Sequence, residues 1–278
     1  MTSTAVPFAY ATGSSAPTRT LCTAADLLRR FGMSGQAGAD ADQIRFAMRR
    51  VHAGCPLVVE GQPFEKLHLV SGGSFKCVQT DSEGYEQVLA FSMQGDFIGL
   101  DALGQGRHHS GAVALEEALV VALPVREILG LQRQLPALET LLLHAAGAEV
   151  LRLGDNQHLM AAPSSEVRVV RFLLQFARRQ ATLGHSGRRL RMCMTRRDIA
   201  SYLGVAHETV SRVLTALDHE GYIRVSLRDI ELIDFAALGE LQRVTRGRQA
   251  RERRSDIARQ TAAVALRRAA QGASGLRA

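Results

Sequence analysis

The spacing of apolar positions divides the chain into parts with different periodicity. Short apolar runs separated by Gly- and Asp-containing turns extend from Val51 to Leu123, whereas apolar spacings of three and four residues dominate after Pro136. Regularly spaced short strands predict a β-barrel or a double-sheet roll, and spacings of three and four predict helices. The strands are predicted at residues 57–59, 67–70, 75–80, 87–92, 97–98, 111–114 and 118–123.

The segment before the strands differs from them in amino-acid composition and in periodicity. Residues 1–22 are mostly Ser, Thr, Ala and Pro, a composition that predicts a disordered tail. Two short helical patterns follow at residues 24–31 and 41–50, with a Gly-rich break between them.

A heptad seam marks the helix that follows Pro136. Packing on the roll explains Leu138, Leu141 and Leu142, but the seam continues for about three heptads. We therefore expect it to pack against a second copy, giving a parallel homodimer. The seam residues are Leu143, Ala146, Val150, Leu153, Gln157 and Met160.

Residues 195–217 have the pattern of two short helices joined by a tight turn. Thr195 and Asp198 have capping-box spacing, and Gly204 accepts the left-handed conformation at the turn. A solvated helical hairpin would give the same geometry. The polar residues at the start of the second helix favour a helix-turn-helix, whose second helix enters the major groove.

The outward residue types predict how bases are read. Arg212 can donate two bonds to guanine, Glu208 can accept from the cytosine amino group, and Ser211 can serve either base type. Contacts to the DNA backbone are predicted for Thr195, Arg196, Arg197, His207, Thr209 and Arg224. The parallel homodimer predicted from the heptad seam would set two recognition helices about one DNA turn apart, which predicts a palindromic site.

Two strand patterns after the second helix, at residues 221–225 and 229–233, predict the hairpin of a winged helix.

The distribution of charge separates the N-terminal part of the chain from the C-terminal part. Residues 1–161 carry 12 basic and 16 acidic side chains, whereas residues 162–239 carry 12 and 8 and residues 240–278 carry 10 and 3. An acidic front and a basic back suit a sensor module followed by a phosphate-binding module.

The composition of the 278 residues excludes several classes of protein. No apolar run is long enough to span a bilayer, and the N-terminus lacks the pattern of a secretory signal, so we expect a cytoplasmic protein. The four cysteines are too widely spaced to suggest a disulfide framework. Paired carboxylates, a nucleophile elbow, a phosphate loop and a zinc-spaced His/Cys set are all missing from the sequence, which argues against an enzyme.

The order of roll, long helix and winged helix-turn-helix resembles the Crp/Fnr superfamily of bacterial transcription regulators over residues 24–238. The strings GDFIGLDA at 95–102, TRRDI at 195–199, YLG at 202–204 and ETVSR at 208–212 resemble the Fnr branch. The resemblance implies an α+β fold with a cyclic-nucleotide-binding-type β-roll and half-sites similar to TTGAT. In that reading Arg212 contacts guanine, Glu208 the cytosine side and Ser211 a thymine. It also implies an activator that contacts RNA polymerase.

The resemblance divides the chain into five parts. These are a tail at 1–22, a roll at 23–135, a dimerisation helix at 136–162, a winged helix-turn-helix at 163–238 and a basic tail at 239–278.

The signal-binding features of the superfamily are altered in this chain. Fnr-type iron–sulfur ligation uses a compact N-terminal run of cysteines plus one in the roll, whereas here Cys22 stands alone and Val121 occupies the position resembling the roll ligand. Cyclic-AMP binding uses an Arg-Ser pair for the phosphate, and His109 precedes Ser110 here. We therefore expect no cofactor, because these departures disfavour both an iron–sulfur cluster and cyclic AMP. The alternative is a Crp-type regulator that responds to a cyclic nucleotide or to another small molecule.

Two further sensing hypotheses stay open. Cys193 lies two residues before Thr195, where oxidation would add bulk and charge near the DNA backbone; the alternative is an unreactive structural cysteine. The second hypothesis is haem sensing, with a histidine as the iron ligand. The alternative is that each candidate histidine is an ordinary surface or core residue. The candidates are His52, His68, His108, His109, His144 and His158.

Overall fold

The computed structural model describes residues 21–131 and 134–242. Most of the predicted N-terminal tail and of the basic C-terminal segment therefore lies outside the described residues. The last two residues of the predicted tail, Leu21 and Cys22, belong to the first strand of the roll, and Cys22 is buried.

The N-terminal part of the chain is a roll of two antiparallel sheets that enclose an apolar core. One sheet has the strand order β1-β2-β9-β4-β7 and the other has the order β3-β8-β5-β6. Phe75 and Val120 lie fully buried in the core. The strands are β1 (Leu21–Thr23), β2 (Arg45–Val51), β3 (Pro56–Val58), β4 (Lys66–Gly72), β5 (Ser74–Thr80), β6 (Glu86–Met93), β7 (Phe97–Ile98), β8 (Gly111–Ala114) and β9 (Ala118–Pro124).

The helix predicted for residues 41–50 is wrong, because Arg45–Val51 forms strand β2. Strand β2 pairs on one side with β1 and on the other with β9. The spacing of Ala41, Ile44 and Met48 imitates one helical face, but the hydrogen bonds and burial offered by two neighbouring strands override that local pattern.

Helices cover one end of the roll and connect it to the C-terminal domain. The long helix α3 packs its first turns on the roll through the buried Leu138 and Leu141. Sequence patterns did not predict α2. In the described part of the chain, no helix is both long and apolar enough to cross a membrane. These helices are α1 (Ala24–Arg30), α2 (Val125–Leu131) and α3 (Ala137–Met160).

The C-terminal domain is a winged helix-turn-helix. Ser164 caps its first helix by accepting a hydrogen bond from the Val167 amide (3.3 Å). The three strands form an antiparallel sheet in the order β10-β12-β11. The elements are α4 (Ser165–Thr182), β10 (Arg189–Arg191), α5 (Arg196–Leu203), α6 (His207–His219), β11 (Ile223–Ser226) and β12 (Asp229–Leu232).

Candidate nucleic-acid interface

Helix α5 starts with a complete capping box. The Asp198 amide donates to Thr195 Oγ1 (3.1 Å), and the Thr195 amide donates to Asp198 Oδ2 (2.9 Å). These bonds satisfy two amides that the first turn of a helix leaves without partners. At the other end Gly204 has φ 61° and ψ 43°, the left-handed conformation that lets α5 stop and α6 turn away. The predicted cap and turn are confirmed.

Helix α6 buries one face and leaves the other open to solvent. Val210, Leu214 and Leu217 pack into the domain core, a 3.6-residue pattern that fixes the rotation of the helix about its axis. The three predicted base-reading residues, Glu208, Ser211 and Arg212, lie exposed on the opposite side of its first turns.

Weak polar contacts link neighbouring side chains on the exposed face of α6. His207 Nδ1 lies 3.2 Å from the Glu208 carboxylate, and Arg212 Nη2 donates to Thr209 Oγ1 at 3.5 Å. Both contacts are exposed and weak, so a DNA base can replace either one at low cost.

The predicted backbone contacts are in unequal positions. Thr195 and Arg197 are exposed at the start of α5, but Arg196 is half buried and its Nη1 atom has no hydrogen-bond partner. Burial lowers the pKa of Arg196. In the wing, Arg224 forms an ion pair with Glu231 (3.2 Å). Arg197 is therefore the better placed of the two α5 arginines for a phosphate.

The C-terminal domain is docked on the roll through α5. Lys76 of β5 donates to Asp198 (2.9 Å), and the Val88 amide of β6 donates to Ser201 Oγ (2.9 Å). The Gln87 side chain also donates to the Ser201 carbonyl. Sequence reasoning missed these contacts, which fix the helix-turn-helix relative to the roll.

One carboxylate joins three parts of the molecule. Asp96, in the turn between β6 and β7, forms ion pairs with Arg152 of α3 (2.9 Å) and with Arg179 of α4. It also accepts a hydrogen bond from the Met93 amide (2.8 Å). Burial lowers the pKa of Arg152, an effect that the Asp96 charge opposes. Roll, long helix and DNA-reading domain thus share this ionic cluster.

A cavity of about 440 Å³ lies beside that cluster. Its walls come from the roll, α3, α4 and Tyr202 of α5, and they include Val150 and Phe176. At its rim the Ser110 amide (3.1 Å) and hydroxyl (2.9 Å) both donate to Asp101. The Asp101 carboxylate therefore already accepts the hydrogen bonds of Ser110, the residue that the superfamily resemblance assigns to the phosphate of a cyclic nucleotide.

The seam predicted for dimerisation is a largely uncovered surface of α3. Leu143, Val150 and Leu153 are 68%, 67% and 55% exposed, whereas Ala146 and Met160 are half buried and Gln157 is exposed. Exposed apolar side chains at regular helical positions are typical of an interaction surface.

The four cysteines are free and lie on separate segments of the chain. Burial, together with the neighbouring Glu116 carboxylate, raises the pKa of the Cys193 thiol to about 11. Burial also raises the pKa of Cys22 and of Cys77. Within residues 21–131 and 134–242, no group of three or more His, Cys, Asp or Glu side chains is arranged to hold a metal ion.

The fold and the exposed face of α6 define a class of protein, the transcription regulators that read DNA with a helix-turn-helix. Comparison with known proteins gives the family. Residues 167–241 match the Crp-like helix-turn-helix domain, and residues 48–134 match the cyclic nucleotide-binding domain.

Relatives span most of the chain. The transcriptional regulatory protein btr of Bordetella pertussis is 33% identical over 210 residues, 76% of this chain and 87% of its own. The fumarate and nitrate reduction regulatory protein of Escherichia coli is 30% identical over 225 residues, 81% and 90% of the two chains. The structure of FixK2 from Bradyrhizobium japonicum matches with a TM-score of 0.62 at 27% identity, covering 70% of this chain and 96% of that one. The chain belongs to the Crp/Fnr family of transcription regulators.

Proposed function

We propose that this regulator binds palindromic DNA as a homodimer, reads half-sites similar to TTGAT, and activates transcription from the cytoplasm. The observation that carries the proposal is the exposure of Glu208, Ser211 and Arg212 together on the first turns of α6. Those turns of a recognition helix meet base edges in the major groove.

Each base-reading residue has a distinct chemical role in this proposal. Arg212 donates two bonds to the O6 and N7 atoms of guanine, Glu208 accepts from the amino group of cytosine, and Ser211 contacts thymine. Thr195 and Arg197, at the start of α5, contact the phosphates, and Arg224 does so from the wing. His207 and Thr209, on the first turn of α6, make further contacts to the DNA backbone.

The homodimer rests on the exposed seam of α3. Pairing two copies along Leu143, Val150 and Leu153 would remove three large apolar side chains from water. A parallel pair of α3 helices would also present two α6 helices to one duplex, which is the arrangement that a palindromic site requires. RNA polymerase is the further partner that an activator needs.

A small molecule is the second candidate for the signal, and the cavity beside the Asp96 cluster favours it. The roll, α3 and α4 all contribute residues to the cavity wall, so a bound molecule would influence the position of the DNA-reading domain. Cyclic AMP fits poorly, because its phosphate would meet the Asp101 carboxylate at Ser110. Iron–sulfur ligation is disfavoured by the separation of the cysteines among different elements.

Gel-shift titration tests the proposal directly. The probe is a duplex carrying TTGAT and its inverted repeat ATCAA four base pairs apart, and a scrambled duplex is the control. We expect tight binding to the palindrome, with and without reductant, and binding of two copies per duplex. Equal affinity for the scrambled duplex would contradict sequence-specific reading. Cyclic AMP and cyclic GMP added to the same titration should leave the affinity unchanged.

A further inference from the structure

The turn of the wing contains a leucine in a backbone conformation that disfavours it. Strands β11 and β12 are joined by two residues, Leu227 and Arg228, with Ser226 paired to Asp229. Leu227 has φ 52°, and within the described part of the chain it is the one residue other than glycine with positive φ. Gly, Asn and Asp are the residues that such a turn favours. Leucine here costs conformational energy that a common substitution would avoid.

Packing in the described protein does not account for this leucine. Its side chain is 95% exposed, more than any other large apolar side chain of the described residues. A strained backbone that presents an apolar group to solvent contributes nothing to the stability of the domain. The leucine therefore calls for a contact outside the chain.

The wing is hydrogen-bonded to the segment that leads into α5 and to α6. The Met192 amide, three residues before the α5 cap, donates to the Arg228 carbonyl (2.7 Å). The Val225 amide of β11 donates to Asp218 of α6 (3.0 Å). These bonds tie the wing turn to the helix-turn-helix, whose first helix crosses the DNA backbone when the recognition helix enters the groove.

The surroundings of the tip are basic. Arg189, Arg191, Arg224 and Arg228 are exposed on the wing sheet. Glu231 pairs with Arg189 (3.6 Å) and Arg224 (3.2 Å), and Asp229 is exposed beside the turn, so the four arginines outnumber the acidic groups. An apolar tip among arginines suits a partner with apolar walls and anionic edges. The minor groove of DNA has both, and proteins insert apolar side chains and arginines into it.

We propose that Leu227 enters the minor groove beside the half-site read by α6, with Arg228 next to it at the groove edge. This inference rests on the proposed DNA binding. It adds a second reading element that responds to the bases flanking the half-site, where α6 makes no contact. Because the minor groove distinguishes mainly A·T from G·C pairs, the wing favours A·T-rich flanks, which lack the guanine amino group.

The test uses three substitutions in the full chain. Leu227→Gly removes the side chain and accepts positive φ, so we expect an unchanged or higher melting temperature and about 5- to 10-fold weaker binding to a palindrome with A·T flanks. Leu227→Asn should show the same loss, because asparagine also tolerates the turn. Leu227→Met keeps an apolar side chain and should keep most of the affinity.

Flanking base pairs then identify the groove. Replacing flanking G·C by inosine·cytosine removes the amino group from the minor groove and leaves the major-groove pattern intact. The unsubstituted protein should bind A·T and inosine·cytosine flanks more tightly than G·C flanks, and Leu227→Gly should lose that preference.

The results separate this inference from the proposed function. If Arg212→Ala loses half-site specificity while Leu227→Gly binds every duplex as the unsubstituted protein does, the wing inference is wrong and the reading by α6 stands. Reduced transcription by Leu227→Gly with unchanged DNA affinity would also overturn it, since the tip would then contact a protein. Absence of specific DNA binding by the unsubstituted protein would overturn both.

Discussion

Lys76 Nζ lies 2.9 Å from Asp198 Oδ1, and this ion pair joins the roll to the first helix of the helix-turn-helix. Both side chains are mostly buried, at 22% and 11% exposure. Burial raises the pKa of Asp198, but the hydrogen bonds from Thr195 and Lys76 outweigh it and hold that pKa below its usual value. The same carboxylate therefore caps α5 and fixes the winged-helix domain to the roll.

Lys76→Ala should weaken the docking of the two parts. It leaves the Asp198 carboxylate partly buried without its cation, and we expect a loss of about 1–2 kcal/mol in the free energy of unfolding. Differential scanning calorimetry measures the loss. Lys66→Ala is the control, because Lys66 is exposed on β4 and lies outside this contact. Equal melting temperatures for the two variants would show that the Lys76 ion pair contributes nothing to docking.

Local signals in the sequence were enough to predict the helix-turn-helix. The Thr195–Asp198 capping box depends on residues three positions apart, and Gly204 marks the turn because few other residues accept its backbone angles. The strands of the roll follow from short apolar runs between turns. These features depend on interactions between residues that are close in the sequence, and such interactions leave a recognisable sequence pattern.

Contacts between distant segments could not be predicted in the same way. Lys76 and Asp198 are 122 positions apart, and no local pattern connects them. Asp96 belongs to the string GDFIGLDA, which indicated a turn and a family resemblance but no partner for the carboxylate, yet it forms ion pairs with Arg152 and Arg179. Strand β2 was missed for a related reason, because its neighbours in the sheet decide its conformation.

Two arginines of the helix-turn-helix should respond differently to substitution. Arg212→Ala removes a predicted guanine contact, and we expect a loss of about 1–3 kcal/mol in binding free energy with relaxed preference at that base pair. Arg197→Ala removes a predicted phosphate contact, so it should weaken binding to all sequences alike and lower the salt slope by about one. Titrations at several salt concentrations on matched and single-mismatch duplexes distinguish the two. Identical behaviour of the variants would refute the division between base reading and backbone contact.

A buried histidine in the roll should make stability depend on pH. His68 is 6% exposed and its Nδ1 atom has no hydrogen-bond partner. Burial, with Arg49 and His108 nearby, lowers the pKa of His68 from 6.5 to about 4. Between these values the unfolded chain binds more protons than the folded one. The free energy of unfolding therefore keeps its full value with respect to His68 above about pH 6.5. As the pH falls towards 4, protonation of His68 in the unfolded chain lowers that free energy by roughly 3 kcal/mol in all.

Comparison of variants isolates that contribution. His68→Leu should show a smaller fall in the free energy of unfolding between pH 6.5 and pH 4 than the unsubstituted protein, measured by urea denaturation at each pH. His219→Gln, at an exposed position near the end of α6, should leave the fall unchanged. Parallel curves for His68→Leu and the unsubstituted protein would contradict a buried neutral histidine.

Cys193 should be a poor redox switch. With a pKa of about 11, its thiolate fraction at pH 8 is on the order of one in a thousand, and the thiolate is the reactive form. Iodoacetamide should therefore modify the exposed Cys55 well before Cys193, as peptide mass spectrometry over a time course would show. In a Cys55→Ser variant, hydrogen peroxide should leave the affinity for the palindromic duplex unchanged. Rapid oxidation of Cys193 with loss of DNA binding, reversed by reductant, would instead establish the thiol switch that its position in the sequence suggested.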